Sequence, residues 1–174
     1  MTKALLSLGS NIEPEKNILE AATLLSRHVK IVKSSTVYLT EPLDGKNQPK
    51  YYNCVIEIET DIEPQKLKRT VLEPIEEAMQ RTRTRDKYAD RTMDIDLVLY
   101  GNYHASTKYL TLPDPEVETR PFLAIPIFEL EPELVMPGIN KPIKEIAEEF
   151  RNHNMIPLRT YTVNLRRRIR KLGV

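Results

Sequence analysis

Residues 90–101 read DRTMDIDLVLYG. From Met93 onward the stretch has the character of a strand. By the period of two, Met93, Ile95, Leu97 and Leu99 fall on one face, and Asp94, Asp96 and Val98 on the other. Two carboxylates side by side on so apolar a strand repel each other, and partial burial adds a desolvation cost. Something is therefore expected to compensate them. The strand also completes an order of elements, and that order decides the fold.

Upstream, KALLSLGS reads as a first strand ending at Gly9, with Ser10 or Asn11 available to cap the following helix. From Pro14 to about His28, Ile18, Leu19, Ala22, Leu24 and Leu25 recur at helical spacing. VKIVKSSTVYLT alternates as a strand with a break, and EPLDGKNQPK is a loop by its turn residues. YYNCVIEIET is the next strand. Glu63–Gln80 is a helix opened by Pro64, with an apolar stripe of Leu67, Val71, Leu72, Ile75 and Met79 and a kink, or a split into two helical pieces, expected at Pro74. With the aspartate strand the order is β-α-β-β-α-β, an α+β ferredoxin-like antiparallel sheet with helices packed on it. The first and last strands are expected to be its central pair. A short extended piece around Tyr109–Leu112 and helices near Arg120–Leu130 and Ile143–Phe150 follow. The main domain is read as 1–155, with a basic, helical C-terminal extension over 156–174.

Composition fits a soluble globular chain: 174 residues, 40% apolar, 29% charged and a net charge of +1. No apolar run approaches a membrane span, and the N-terminus turns polar too soon for a signal peptide. One cysteine excludes a disulfide framework, so the chain reads as cytoplasmic. The last residues hold Arg166, Arg167, Arg168, Arg170 and Lys171 without an acid, and leaving them out gives about −4 for the rest. A solvated terminal helix explains them better than nucleic acid, since no matching basic surface exists elsewhere.

Neither GxxxxGK[ST] nor GxGxxG is present, so a nucleotide site would be built from side chains and metal. Asp94 and Asp96 suit one Mg2+ or a bridged pair. The alternative is two solvated acids, or salt bridges to nearby arginines. Arg81, Arg83, Arg85, Lys87 and Arg91 precede the strand, and Arg120 opens a later helix. Guanidinium groups grip phosphate oxygens bidentately. Tyr51, Asn53 and Phe122 are the residue types a flat heterocycle needs, two rings and an in-plane amide, although either ring also suits a core. His28, His104 and His153 read as surface residues, and Cys54 as buried rather than nucleophilic.

Taken together, these segments resemble the 6-hydroxymethyl-7,8-dihydropterin pyrophosphokinase family. RTMDIDLVLYG resembles its PR-x-x-D-x-D signature. LSLGSNI resembles its first strand and turn, TEPLDGKNQPKYYNCVIEIET its pterin loop, and RPFLAIPIFELEPELVMP its R-x-F-[VL]-x-x-P segment, all in family order over about residues 4–137. The resemblance implies an ATP-dependent diphosphokinase binding two Mg2+ and MgATP. It would pass pyrophosphate to a small-molecule pterin and release AMP, by attack of the pterin hydroxymethyl oxygen on the β-phosphorus. Asp94 and Asp96 match the metal-bridging aspartates, with Arg81 and Arg91 beside them in catalysis. Glu76, Arg83, Arg91, Thr111, Asp114 and Arg120 match the ATP side, and Thr40, Leu43, Tyr51, Asn53 and Phe122 the pterin side. No strong general base is apparent beyond Asp96 or metal polarisation of the hydroxyl. A monomer is expected, a dimer being the alternative, with no membrane or nucleic-acid partner. The alternatives are a non-catalytic or reassigned pterin- or nucleotide-binding homologue and a nucleic-acid-binding module on the same fold. This chain departs from the family at LPDP, where Asp114 replaces histidine, and at Asp90, which replaces proline. An aspartate at 114 repels phosphate unless it binds metal or turns away.

Overall fold

A computed structural model of the chain describes residues 1–43, 47–79 and 92–173. The elements are β1 (Thr2–Ser10), α1 (Pro14–Leu25), β2 (Lys30–Ser34), β3 (Tyr38–Thr40), β4 (Tyr51–Thr60), α2 (Pro64–Leu67), α3 (Glu73–Met79), β5 (Asp94–Tyr100), β6 (Ala105–Ser106), β7 (Thr111–Leu112), α4 (Pro121–Leu130), α5 (Ile143–Glu148), β8 (Ile156–Pro157) and α6 (Arg159–Leu172). The main sheet is ordered β5-β1-β4-β3-β8, and β2 also pairs with β4. All its pairings are antiparallel. β2 and β3 lie end to end along β4, which accounts for the break in VKIVKSSTVYLT.

Alternation explains how the sheet packs. Ala4, Leu6 and Leu8 of β1, with Cys54, Ile56 and Ile58 of β4, join Ile18, Ala22, Leu67, Leu165 and Ile169 in one core cluster under α1, α2 and α6. Leu5 and Val55 point the other way, into a cluster with Leu123, Ala124 and Ile127 of α4 and Ile143 and Ile146 of α5. Both faces are therefore covered.

Several expectations are corrected. The aspartate strand is not central: among the described residues β5 ends the sheet, and β1 and β4 form its middle. Leu99 does not share a face with Leu97. The β1–β5 register passes from Leu6↔Leu97 to Leu5↔Leu99, leaving Val98 as an extra residue. This bulge turns the strand over, so Leu97 joins the α1-side core and Leu99 the α4-side core. The 63–80 helix is interrupted before Pro74 rather than at it: Lys68–Leu72 is a π-helical turn, closed by Glu73 N–H donating to Lys68 O. The wider turn accommodates the proline ring without splitting the helix. Neither Ser10 nor Asn11 caps α1. Glu13 occupies that position at φ 38°, and Ser10 Oγ donates to Ile12 O instead. His153 is not a bare surface group, since its Nδ1 accepts from Met155 N–H at 3.1 Å.

Candidate active site at the sheet edge

Strand register places the candidate residues. Asp94 lies opposite Gly9, and Asp96 opposite Ser7. Gly9 in turn lies opposite Asn53, and Tyr38 and Thr40 lie opposite Asn53 and Tyr51. Cross-strand partners share a face, so Asp94, Asp96, Asn53, Tyr51 and Thr40 all belong to the α4 side. Phe122, in the first turn of α4, packs against the cluster containing Val55, two residues along from Asn53.

Two of the residues expected on the pterin side, Asn53 and Thr40, interlock. Asn53 Nδ2 donates to Thr40 Oγ1 at 2.6 Å, and Thr40 is buried. A Cβ on Gly9 would lie 2.6 Å from Asn53 Oδ1, so glycine leaves the space that the amide occupies. Tyr51 and Phe122 are half-buried, leaving ring surface accessible. Leu43 is 67% exposed. Cys54, on the opposite face, is buried, and desolvation pushes its thiol up to about 12, which leaves it inert as a nucleophile.

Three of the residues expected on the ATP side, Glu76, Thr111 and Asp114, meet in a second place. A cavity of about 330 Å³ is lined by Glu76, Asp96, Thr111 and Asp114, together with Lys68 and Lys108. The edge position of β5 makes this possible: its free side faces the β6–β7 hairpin, and Asp114 N–H donates to Val98 O at 2.9 Å. Asp114 also turns back, its Oδ1 accepting from Glu116 N–H at the start of a 3-10 turn, Pro115–Glu118. This answers part of the phosphate-repulsion problem, because one carboxylate oxygen is engaged as a cap. Arg120, at the N-cap of α4, keeps a buried Nε with no hydrogen-bond partner. It does not line the 330 Å³ cavity.

Asp96 carries the electrostatic signature of the site. Desolvation is the largest cause, followed by the charges of Asp94, Asp114 and Glu116, and together they push its carboxyl up to about 6 against the opposing pull of Lys68. The carboxylate keeps access to water through the cavity, yet protein atoms crowd it closely enough to raise the cost of its charge. A divalent cation would reverse that cost. Among the described residues no group of three or more His, Cys, Asp or Glu is placed to hold a metal. The two carboxylates of Asp94 and Asp96 are oxygen donors of the kind Mg2+ takes, its remaining ligands commonly being substrate phosphates and water.

Arg81, Arg83, Arg85, Lys87, Asp90 and Arg91 lie outside the described residues. Sequence reading missed Lys68, Lys108 and Gly9. Lys68 was within reach, since it precedes Glu76 by about two helical turns and so shares its face. Lys108 and Gly9 depend on a hairpin and a strand register that one-dimensional spacing does not reveal.

A profile of the 7,8-dihydro-6-hydroxymethylpterin-pyrophosphokinase family matches residues 5–132. The chain is 35% identical over 161 residues to a 2-amino-4-hydroxy-6-hydroxymethyldihydropteridine pyrophosphokinase of Haemophilus influenzae, covering 91% of this chain and 99% of that one. It is 35% identical over 150 residues to the Aquifex aeolicus protein of the same name, covering 86% and 92%. A Plasmodium falciparum HPPK-DHPS crystal structure superposes with a TM-score of 0.71 at 13% identity, over 96% of this chain and 47% of that one. That likeness concerns the fold, and the chain spans a little under half of that protein. The chain belongs to the 7,8-dihydro-6-hydroxymethylpterin-pyrophosphokinase family.

Proposed function

We propose that the chain transfers the pyrophosphoryl group of ATP to 6-hydroxymethyl-7,8-dihydropterin, giving the pterin diphosphate and AMP in folate biosynthesis. Family membership supports this reading. The observation that carries it within the fold is the position of Asp96. It shares the sheet face of Asn53 and also lines the cavity of Glu76, Thr111 and Asp114. A group passed from one compartment to the other would cross the Asp94–Asp96 strand.

Each side of the site has its task. The Asn53 amide, held by Thr40, donates and accepts in the plane of the heterocycle, while Tyr51 and Phe122 cover its faces and Leu43 closes the rim. Glu76, Thr111 and Asp114 line the nucleotide compartment. Lys68, Lys108 and Arg120 oppose phosphate charge, joined by Arg81, Arg83 and Arg91 from the segment before β5. The hydroxymethyl oxygen attacks the β-phosphorus in line. A new O–P bond forms as the bond to the α-phosphate oxygen breaks, and AMP departs. Mg2+ held by Asp94 and Asp96, two ions in this reading, supplies charge neutralisation when bound. In the same reading the core is ferredoxin-like over 1–155, with 156–174 as its C-terminal extension, and the enzyme is a cytoplasmic monomer.

The test uses purified protein, Mg-ATP and the pterin, with chromatographic separation of AMP from ADP. AMP and pterin diphosphate in equal amounts are expected. ADP as the sole product, or no turnover, would refute the proposal.

A further inference from the structure

The C-terminal segment lies beyond the family profile, which ends at residue 132, yet it grips the strand that carries Thr40. β8 pairs with β3, Tyr38 opposite Pro157 and Leu39 opposite Ile156. Continuing that register brings Val37 opposite Leu158. Leu158 N–H donates to Val37 O at 2.8 Å, as a ladder would. The return bond is not made directly. Val37 N–H donates to Thr162 Oγ1 at 2.9 Å, and the same hydroxyl donates to Leu158 O at 2.8 Å. Thr162, buried on the first turns of α6, thus inserts its hydroxyl into the ladder and relays the missing bond.

Two further side chains of α6 fix the same region. Arg166 Nε donates to Ser34 O at 3.2 Å, and its Nη2 reaches Glu129 Oε1 at 3.1 Å. That Glu129 oxygen also accepts from Thr36 N–H and Thr36 Oγ1. The Tyr161 ring meets Tyr52 edge-on, with centroids 5.3 Å apart, between the two β4 residues of the pterin side. Residues 34–40 therefore have little freedom of their own, being held from α6 on one side and β4 on the other.

We propose that Thr162 is a positioning residue for the pterin side of the site, fixing β3 through Val37 so that Thr40 Oγ1 stands where Asn53 meets it. The inference rests on the proposed function. Val37 N–H is a buried donor that, among the described residues, the Thr162 hydroxyl satisfies. Without that acceptor, β3 shifts to seek another partner, and Thr40, three residues along, shifts with it. The nucleotide compartment lies across β4 and β1, at the other edge of the sheet, and is insulated from that shift.

The test compares T162V, which keeps the shape without the hydroxyl, with T162S, which keeps the hydroxyl, in the full-length chain. T162V should raise KM for the pterin about tenfold with KM for ATP within about twofold of wild type. T162S should restore the wild-type value. An equal rise in both KM values, or a drop in melting temperature with pterin KM unchanged, would overturn the inference. Should T162V not fold, R166M is read in the same assay and should raise pterin KM alone, by about threefold; no rise would overturn the inference. An inert wild-type protein would overturn the proposed function and this inference together. An active wild type with indifferent variants would overturn only the second.

Discussion

The Asn53 side chain occupies the space that a Cβ on Gly9 would need: such a carbon would lie 2.6 Å from Asn53 Oδ1. The amide cannot simply swing aside, because its nitrogen donates to Thr40 at 2.6 Å. Gly9→Ala is therefore expected to break the Asn53–Thr40 bond and tilt the amide out of the heterocycle plane. Pterin KM should rise about tenfold while KM for ATP holds, a split that removal of a substrate-orienting contact produces. Steady-state kinetics with each substrate varied in turn checks it.

Asp96 is held against electrostatic opposition, so its removal should separate stability from activity. In metal-free protein, Asp96→Asn relieves repulsion from Asp94, Asp114 and Glu116. A rise in melting temperature of about 2–4 °C is expected, the shift that ~1 kcal/mol produces in a chain of this size. Turnover under saturating Mg-ATP should fall by about a thousandfold or more, as loss of a metal-bearing carboxylate implies. A variant as active as wild type would contradict the assigned role.

The same group predicts a pH dependence. The folded value of about 6 lies above the ordinary 3.8, so between those values the folded state binds more protons than the unfolded one. The stability of the metal-free protein should therefore fall as pH rises through that window, with the penalty fully present above it. Mg2+ competes with that proton, so its affinity should weaken as pH drops below about 6. Thermal unfolding across pH 4–8, in chelator and in excess Mg2+, reads both effects. Identical pH profiles in the two conditions would count against Asp96 as a ligand.

A second charged cluster lies on the same sheet face, at the far end of β4. The Glu57 carboxylate is buried, with Lys33 at 3.4 Å and Lys3 at 3.8 Å, and burial raises its pKa. Lys33 Nζ also donates to Leu130 O at the end of α4. Lys33→Met removes the nearer cation and should destabilise the protein by about 2 kcal/mol at pH 7.5, the scale of a partly uncompensated buried charge. The loss should be smaller at pH 5 than at pH 7.5, because burial raises the Glu57 pKa and lower pH favours its uncharged form. Urea midpoints at the two pH values measure the difference.

The reading of Asp94 and Asp96 as a shared face survives in the structure, because two-residue alternation is a property of extended backbone itself. Helices α1, α4 and α5 begin within a residue of where their prolines and apolar spacing put them, for the same local reason. Their ends are less legible. α1 stops at Leu25, short of the expected His28, where packing decides how far a helix continues.

The sequence by itself determined the alternation, the helix starts, the buried cysteine and which acids and rings stand as candidates for the site. Only the tertiary structure decided that β5 is an edge strand, that a bulge at Val98 sends Leu99 to the other core, and that Thr162 completes a ladder begun more than a hundred residues earlier. The difference is physical. Local pattern fixes which way a side chain points from its own backbone, whereas strand order and register are settled by long-range pairing. The Gly9–Asn53 fit and the Asp96 cavity exist only once β1, β4 and β5 have taken their places side by side.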